Sequence, residues 1–266
     1  MRERPPHVTD DELLEAVRRD WGPVDRLEHL PIGFGAHHWK ATTDGRPTLF
    51  VTFDGLLPKR DAAGLEAAYA SAVELDLPFV LACVPSAAGG FTRPLADGAV
   101  SVTPWVDGRS GDGTFASRDD AGATAAMLST LHAAEPPSGI PHWRPLVQPG
   151  FRDELAPRLV ERWDTGPYGE TVRTALVKRL DDIGRWATRY AVLSERARAR
   201  RANWVATHGE PDTSNQLVDG DRRWLLDWES LRLAPRERDL RTLIDGGWAD
   251  LAGDPDPAMV ELFDLE

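Results

Sequence analysis

The chain changes character once along its length, from a strand-rich front to a helix-rich back. In the front, Asp44 and Gly45 separate two runs typical of extended chain, residues 38–43 and 48–53. An Asp-Gly pair between such runs is a strong signal for a β-hairpin. Further back, apolar residues recur at helical spacing. This pattern predicts an α+β fold with a small, mainly β lobe over residues 1–106 and a larger, mainly helical lobe over residues 107–266.

Local signals predict the individual elements. Thr9 and Glu12 form a capping box for a first helix. Ser117, with Asp120 three residues later, is expected to cap a long helix that ends near His132. Further helices are predicted over residues 62–75, 155–163 and 176–190. Strands are predicted over residues 24–30, 38–43, 48–53, 79–84 and 99–106, with short ones at 204–207, 216–218 and 224–226.

The overall charge excludes one class of partner. The formal net charge is -12, and nucleic-acid binding depends on neutralising phosphates with Lys and Arg. An acidic protein attracts a cationic substrate at long range, although solubility alone also explains the charge. The only cysteine, Cys83, cannot form an internal disulfide, and the sequence has no apolar run of membrane-spanning length. We therefore expect a cytoplasmic protein without nucleic-acid or membrane partners.

One stretch carries the residue types of phosphoryl-transfer chemistry. It has the form His208-x-Glu210-x-x-x-x-Asn215, followed by a predicted hairpin and then Asp227. Phosphoryl transfer uses an acidic group to orient the acceptor hydroxyl and oxygen ligands to hold magnesium against the phosphates. Asn215 comes just before one strand and Asp227 just after its partner, so we expect their side chains to be neighbours. Capping of turns is the alternative role for this pair.

This stretch resembles the catalytic segment of the aminoglycoside phosphotransferase and choline-kinase-like families, which have a bilobal protein-kinase-like fold. Its His-Gly-Glu-Pro variant is similar to the branch of the spectinomycin phosphotransferases. The resemblance implies that Glu210 is the catalytic base, that Asn215 and Asp227 bind Mg²⁺, and that His208 organises the loop. Asp212, where many relatives carry His or Lys, would contribute or repel charge at the catalytic site.

Other segments resemble the same family in the same order. Gly33, Phe34 and Gly35 match the loop that covers the nucleotide, in a strand–turn–strand context. Residues 128–134 resemble a Leu-x-x-Leu-His-Ala signature, and residues 238–240 the segment in which an acidic residue braces the catalytic loop. The resemblance also implies an adenine-binding hinge at Thr103, Pro104, Trp105 and Val106. His37, His38 and His132 are expected to be structural residues.

The sequence departs from the kinase pattern at the strand that usually supplies a phosphate-binding lysine. Thr52 occupies that position, and Lys59 or Arg60 in the following loop is a candidate replacement. Glu66, the natural partner of such a lysine, would then need another role. The chain also ends at residue 266 in what looks like the first turns of a helix. Relatives continue with further helices, so the resemblance implies a shortened or partial C-terminal region.

The leading hypothesis is a phosphotransferase that uses Mg²⁺ with ATP or GTP to phosphorylate a hydroxyl group of a small molecule. Aminoglycoside and aminocyclitol antibiotics are the acceptors that the family suggests, and antibiotic resistance is a family association rather than a deduction. The competing hypothesis, motivated by Thr52 and Glu210, is a nucleotide-binding pseudokinase or ligand-binding module without phosphoryl transfer. A metal-dependent hydrolase that uses the same acidic cluster is a third possibility.

Overall fold

The computed structural model describes residues 3–55, 62–148, 150–164 and 166–266. The front of the described chain carries the larger sheet and the back carries most of the helices, as predicted for an α+β fold. The strands are β1 (Arg26–Leu30), β2 (Ala36–Thr43), β3 (Arg46–Gly55), β4 (Thr92–Leu95), β5 (Gly98–Pro104), β6 (Val205–Thr207), β7 (Gln216–Asp219), β8 (Arg222–Leu225) and β9 (Arg232–Ala234). The helices are α1 (Asp10–Trp21), α2 (Ala62–Leu75), α3 (Arg118–Ala133), α4 (Phe151–Arg158), α5 (Gly169–Lys178), α6 (Leu180–Ala199), α7 (Glu237–Asp245) and α8 (Pro257–Leu265).

The front of the chain forms an antiparallel sheet in the order β1-β2-β3-β5-β4. The predicted hairpin is confirmed: Thr43 pairs with Arg46, and both turn residues have positive φ, 50° at Asp44 and 75° at Gly45. Helix α1 packs on one face of this sheet. The apolar side chains buried there include Leu13, Val17, Trp39, Ala41, Val51, Phe53, Val100 and Val102.

The predicted caps are confirmed. The Glu12 N–H donates to Thr9 Oγ1 at 3.2 Å, and the Thr9 N–H donates to Glu12 Oε2 at 2.9 Å. The side chain of Ser117 likewise accepts from the Asp120 N–H at the start of α3. Both caps satisfy N–H groups that have no partner within their own helix.

The prediction of a strand over residues 79–84 is wrong. This segment runs from α2 towards the sheet, and Val80 makes only an isolated bridge to Leu225. Its backbone bonds are shared between the two lobes: the Leu225 N–H donates to Phe79 O at 2.7 Å, and the Val84 N–H donates to Val102 O at 2.8 Å. The strand that pairs with β5 on the side away from β3 is instead β4, which the sequence pattern missed because it is a short edge strand that contains a proline.

The back of the chain is mainly helical. Helices α6 and α8 share one buried cluster, which includes Tyr190, Leu193, Leu262 and Phe263. Helices α3 and α7 share another, around Leu128, Leu240 and Leu243. Two short antiparallel strand pairs, β6 with β9 and β7 with β8, lie among these helices.

One prediction for the helical part needs correction. The helix predicted over residues 155–163 ends at Arg158, next to Pro157, which has no N–H to donate in a helix. The last residues lie in a helix, as expected, and that helix, α8, begins at Pro257. Among the described helices, none is long and apolar enough to cross a membrane.

Candidate active site

The β7–β8 hairpin brings the predicted magnesium ligands to one place. Gln216 pairs with Leu225, and one step beyond this pair the Leu226 N–H donates to the Asn215 carbonyl at 2.8 Å. Asn215 and Asp227 therefore flank the same end of the hairpin. Asp227 is exposed and adopts a left-handed conformation, with φ 60° and ψ 56°. Asp and Asn tolerate this conformation better than most residues.

The side chain of Asn215 is oriented by the loop that carries Glu210. Its Nδ2 donates to the Glu210 carbonyl at 2.9 Å. The amide oxygen is therefore the atom of this side chain that could bind a cation. Among the described residues, no group of three or more His, Cys, Asp or Glu side chains is arranged to hold a metal ion. One amide and one carboxylate nevertheless fit Mg²⁺, which usually takes only one or two protein ligands beside phosphates and water.

His208 ties the loop to the hairpin. Its ring is fully buried, and Nε2 donates to the Leu226 carbonyl at 2.5 Å while Nδ1 accepts from the Glu210 N–H at 3.2 Å. These two bonds fix one neutral tautomer. The ring also contacts Trp228 edge to face, with centroids 4.8 Å apart. His208 thus joins the residue before Asp227 to the backbone of Glu210.

This burial predicts a pH-dependent stability. Burial lowers the pKa of His208 to about 4, below the ordinary value of about 6.5 expected in the unfolded chain. Between these values the unfolded chain binds a proton that the folded chain excludes, so the unfolding free energy should fall as pH falls from about 6.5 towards 4. One such group lowers the unfolding free energy by up to about 3 kcal/mol.

Urea unfolding at pH 7 and pH 5 measures this loss of stability. His208→Gln should reduce the slope, and a variant with the wild-type slope would contradict this assignment.

Asp239 anchors the loop from helix α7. Its buried carboxylate accepts from the His208 N–H at 3.0 Å, from the Gly209 N–H at 2.6 Å and from His132 Nε2 at 2.9 Å. Burial by itself would raise the pKa of this carboxyl group. The hydrogen bond and charge of His132, with the nearby charge of Arg238, outweigh that effect and hold the pKa below its ordinary value. His132, predicted to be a packed residue, therefore also contacts the anchor of the catalytic loop.

Arg238 closes the loop from the other side. The guanidinium group of this half-buried residue donates to Thr207 Oγ1 at 3.1 Å and to the Ser230 carbonyl at 2.9 Å. A Cβ atom on residue 209 would lie 2.3 Å from one of its nitrogen atoms, and Gly209 has φ 103°. Only glycine fits this close approach and this backbone conformation. The sequence motif identified residues 238–240 as a brace, but it did not indicate the packing of Arg238 against Gly209.

The two acidic side chains of the loop are held differently. The Asp212 carboxylate accepts from the backbone N–H and the hydroxyl group of Ser214, at 2.8 and 2.5 Å, and so caps the short 3₁₀ turn Thr213–Asn215. Glu210 is exposed, and its backbone is bonded at the N–H to His208 and at the carbonyl to Asn215. The loop therefore fixes the main chain of Glu210 and presents its side chain to solvent.

The predicted nucleotide-covering loop lies between β1 and β2. Gly33 and Gly35 have φ of 74° and 94°, and Phe34 between them is fully exposed. Positive φ at both glycines lets the backbone turn sharply here. A Cβ atom on residue 33 would lie 2.7 Å from His38 Nε2, so the turn also lies directly against that ring.

Thr52 and Glu66 do not form a kinase-like pair. Thr52 Oγ1 is hydrogen-bonded to His38 Nδ1 at 3.2 Å. Glu66 instead accepts from the backbone N–H groups of Phe91 and Thr92, each at 2.8 Å, and from the Thr92 hydroxyl at 2.6 Å. Its carboxylate therefore orders the start of β4. Lys59 and Arg60, the candidate replacements for the lysine, lie outside the described residues.

The predicted hinge links the two lobes. It consists of Thr103 and Pro104 at the end of β5, followed by Trp105 and Val106. The Trp105 N–H donates to the Thr48 carbonyl at 2.9 Å, and beyond the hinge Arg109 exchanges two backbone bonds of 3.0 Å with Val218. The chain thus leaves the front sheet beside β3 and pairs next with β7.

Comparison with known proteins identifies the family. A family model described as "Phosphotransferase enzyme family" matches residues 27–262. No curated protein sequence matches significantly. Spectinomycin phosphotransferase in complex with ADP and spectinomycin has a TM-score of 0.72 at 14% identity, over 98% of this chain and 85% of that one.

Two further solved structures share the fold at lower similarity. A choline/ethanolamine kinase family protein from Mesorhizobium loti has a TM-score of 0.53 at 20% identity, over 96% of this chain and 76% of that one. An aminoglycoside phosphotransferase from Alicyclobacillus acidocaldarius has a TM-score of 0.51 at 18% identity, over 99% and 78%. These likenesses confirm the predicted bilobal kinase-like fold. Together with the family match over nearly the whole chain, they show that this chain belongs to the phosphotransferase enzyme family and is a small-molecule kinase.

Proposed function

We propose that the protein transfers the terminal phosphoryl group of Mg–ATP or Mg–GTP to a hydroxyl group of a small cationic molecule of the aminoglycoside or aminocyclitol class. The observation that carries this proposal is the hydrogen-bonded chain through the hairpin. The Asn215 side chain is bonded to Glu210, and His208 joins Glu210 to the residue before Asp227. A proton acceptor and two oxygen ligands on one braced loop and hairpin suit phosphoryl transfer.

In the proposed reaction, the Glu210 carboxylate orients the acceptor hydroxyl and takes its proton. The acceptor oxygen forms a bond to the γ-phosphorus as the bond to the bridging β–γ oxygen breaks, and the nucleoside diphosphate leaves. Asn215 and Asp227 are the residues that would hold Mg²⁺, which neutralises phosphate charge when bound. Most of the catalytic effect then comes from holding these groups in position.

The nucleotide site is proposed to lie between lobes that divide near residues 106 and 107. In this assignment the adenine or guanine ring meets the hinge at Thr103, Pro104, Trp105 and Val106, and Gly33, Phe34 and Gly35 cover the phosphates. Positive φ at both glycines supports this role, because glycines in such turns can point backbone N–H groups towards a bound anion. The Asp212 carboxylate accepts hydrogen bonds from Ser214, which supports a structural role of Asp212 in the loop.

The acceptor class is supported by two observations. The solved structures that share this fold include complexes with spectinomycin and with hygromycin B. The formal net charge of -12 also favours encounter with a polycationic molecule, because opposite charges attract each other within about one Debye length.

The direct test is an incubation of the protein with Mg–ATP or Mg–GTP and a panel of aminoglycosides, aminocyclitols and nucleosides. Mass spectrometry should detect a monophosphorylated acceptor from the first two classes, formed only when Mg²⁺ is present. Release of inorganic phosphate without any acceptor would point to the metal-dependent hydrolase instead. Product from nucleosides alone would retain the phosphotransferase and overturn the acceptor class.

Replacing the proposed base should lower turnover without unfolding the protein. Glu210→Gln removes the proton acceptor but keeps the size of the side chain, and kcat should fall by about a hundredfold to ten-thousandfold. Because the side chain of Glu210 is exposed, the unfolding free energy should change by less than about 0.5 kcal/mol. Steady-state kinetics and urea unfolding measure the two effects. Unchanged kcat would remove Glu210 from the mechanism.

A nucleotide-binding pseudokinase is the second candidate, and one observation favours it. Thr52 and Glu66 are each bonded elsewhere, whereas active protein kinases pair a strand lysine with a helix glutamate. Mg-dependent thermal stabilisation by nucleotide, with no product from any acceptor in the panel, would support this candidate over the kinase.

A further inference from the structure

The imidazole ring of His38 lies on the front sheet beside Thr52, the residue at the position where kinases usually carry a phosphate-binding lysine. His38 pairs with Thr52 across β2 and β3, and Nδ1 lies 3.2 Å from Thr52 Oγ1. The ring packs against Phe50, with centroids 5.0 Å apart. Thr52 and Phe50 thus hold the ring from the neighbouring strand.

The other nitrogen of His38 faces the glycine loop. A Cβ atom on residue 33 would lie 2.7 Å from Nε2 and 3.1 Å from Cδ2. A side chain on residue 33 would have to displace the ring, and the φ of 74° at this position also favours glycine. The result is an imidazole that spans from Thr52 on β3 to the underside of the turn proposed to cover the phosphates.

The hydrogen bond to Thr52 can set the useful tautomer. A threonine hydroxyl group donates or accepts, so it can donate to Nδ1 and leave the hydrogen atom on Nε2. Burial lowers the pKa of His38 to about 4, with a smaller effect from the neighbouring His37 and His29. The ring is consequently neutral before an anion arrives, and it offers Nε2–H as a donor beneath the loop.

A nearby lysine is not placed for this role. Lys40 lies two residues along β2 and therefore on the same face of the sheet. Its Nζ is 2.8 Å from Glu28 Oε2 and 5.9 Å from the centre of the Trp105 ring. Those contacts hold its charge at the hinge end of the face, away from Gly33.

We propose that His38, oriented by Thr52, binds the β- and γ-phosphates of the nucleotide from the sheet side, at the position where other kinases use a strand lysine. This inference rests on the proposed function of the same site. It also accounts for Glu66: with no strand lysine to orient, its carboxylate binds the backbone of Phe91 and Thr92 instead.

The test is titration calorimetry of wild type and His38→Ala with Mg–ATP, Mg–ADP, AMP and adenosine. The variant should lose about ten- to a hundredfold in affinity for ATP and ADP, the loss for one charge-assisted hydrogen bond. Its affinity for AMP and adenosine should stay within about twofold of wild type. His29→Ala is the matched control, because His29 contacts Trp39 on the opposite face of the sheet; its affinities should match those of wild type.

Two further variants separate phosphate binding from support of the fold. His38→Gln keeps a donor near the position of Nε2, so it should bind ATP more tightly than His38→Ala and less tightly than wild type. In a His38→Ala background, Thr52→Lys should restore ATP affinity by returning a cation to the strand. Equal losses for adenosine and ATP, or ATP affinity unchanged in His38→Ala, would overturn the assignment while leaving the kinase intact. Wild-type protein that binds no Mg–ATP would overturn both proposals.

Discussion

Asp227→Asn should reduce the rate of phosphoryl transfer by about a thousandfold or more, the scale expected when one preorganised electrostatic group is lost from a phosphoryl-transfer site. The substitution removes the charge from the proposed Mg²⁺ ligand. Asn tolerates the left-handed backbone that Asp227 adopts, with φ 60°, and the position is exposed. The fold should therefore remain intact, and single-turnover kinetics at high Mg²⁺ concentration should show the loss in the rate constant of transfer.

The control for this variant is Asp221→Asn. Asp221 is an exposed carboxylate in the turn at the opposite end of the same hairpin, so its kcat should stay within about twofold of wild type. Raising the Mg²⁺ concentration should partly restore binding to Asp227→Asn, because the amide keeps one oxygen ligand. Turnover by Asp227→Asn equal to that of wild type would remove the metal assignment.

Asp239→Asn should lower the unfolding free energy by about 3–5 kcal/mol, the cost of breaking a buried charge pair from one side. The carboxylate accepts from three donors, His208 N–H, Gly209 N–H and His132 Nε2. An amide would turn its own NH₂ group towards one of these donors. It would also remove the carboxylate whose charge most favours the charged form of Arg238.

Urea unfolding measures this effect, and activity should be lost with it because the loop that holds Glu210 loses its anchor. Asp245→Asn is the matched control: it lies on the same helix, is exposed, and pairs with Arg241 at 3.1 Å. Such a surface pair is worth less than about 1 kcal/mol. If the two variants had similar unfolding free energies, Asp239 would not be the anchor of the loop.

Local chemistry explains why much of the fold and part of the site could be predicted from the sequence. The Asp44-Gly45 turn and the Thr9–Glu12 cap depend on residues close in sequence, and both appear as expected. The neighbouring positions of Asn215 and Asp227 follow from the register of one hairpin. Their roles as ligands, and that of Glu210 as the base, stay predictions.

The features that the sequence did not reveal depend on contacts between distant segments. Glu66 binds the backbone of Phe91 and Thr92, 25 and 26 residues away, and backbone acceptors and donors leave no trace in a sequence motif. The pairing of His132 with Asp239 spans 107 residues. Strand β4 escaped prediction because its pairing with β5 overrides a poor local pattern.

The backbone bonds between Leu225 and the segment after α2 limit how the lobes can move. Leu225 donates to Phe79 O and accepts from the Leu81 N–H at 3.1 Å. The hinge is a second connection between the lobes, and just beyond it Arg109 pairs with Val218. Helix α2 adds a third attachment, because its residues Leu65 and Tyr69 share a buried cluster with Trp228 and Leu231. Any opening of the cleft should therefore move the β1–β2 edge of the sheet, with the turn at Gly33, more than the β4 edge that α2 contacts. Asp227, two residues beyond Leu225, belongs to the attached segment and should stay almost stationary relative to α2 during that motion.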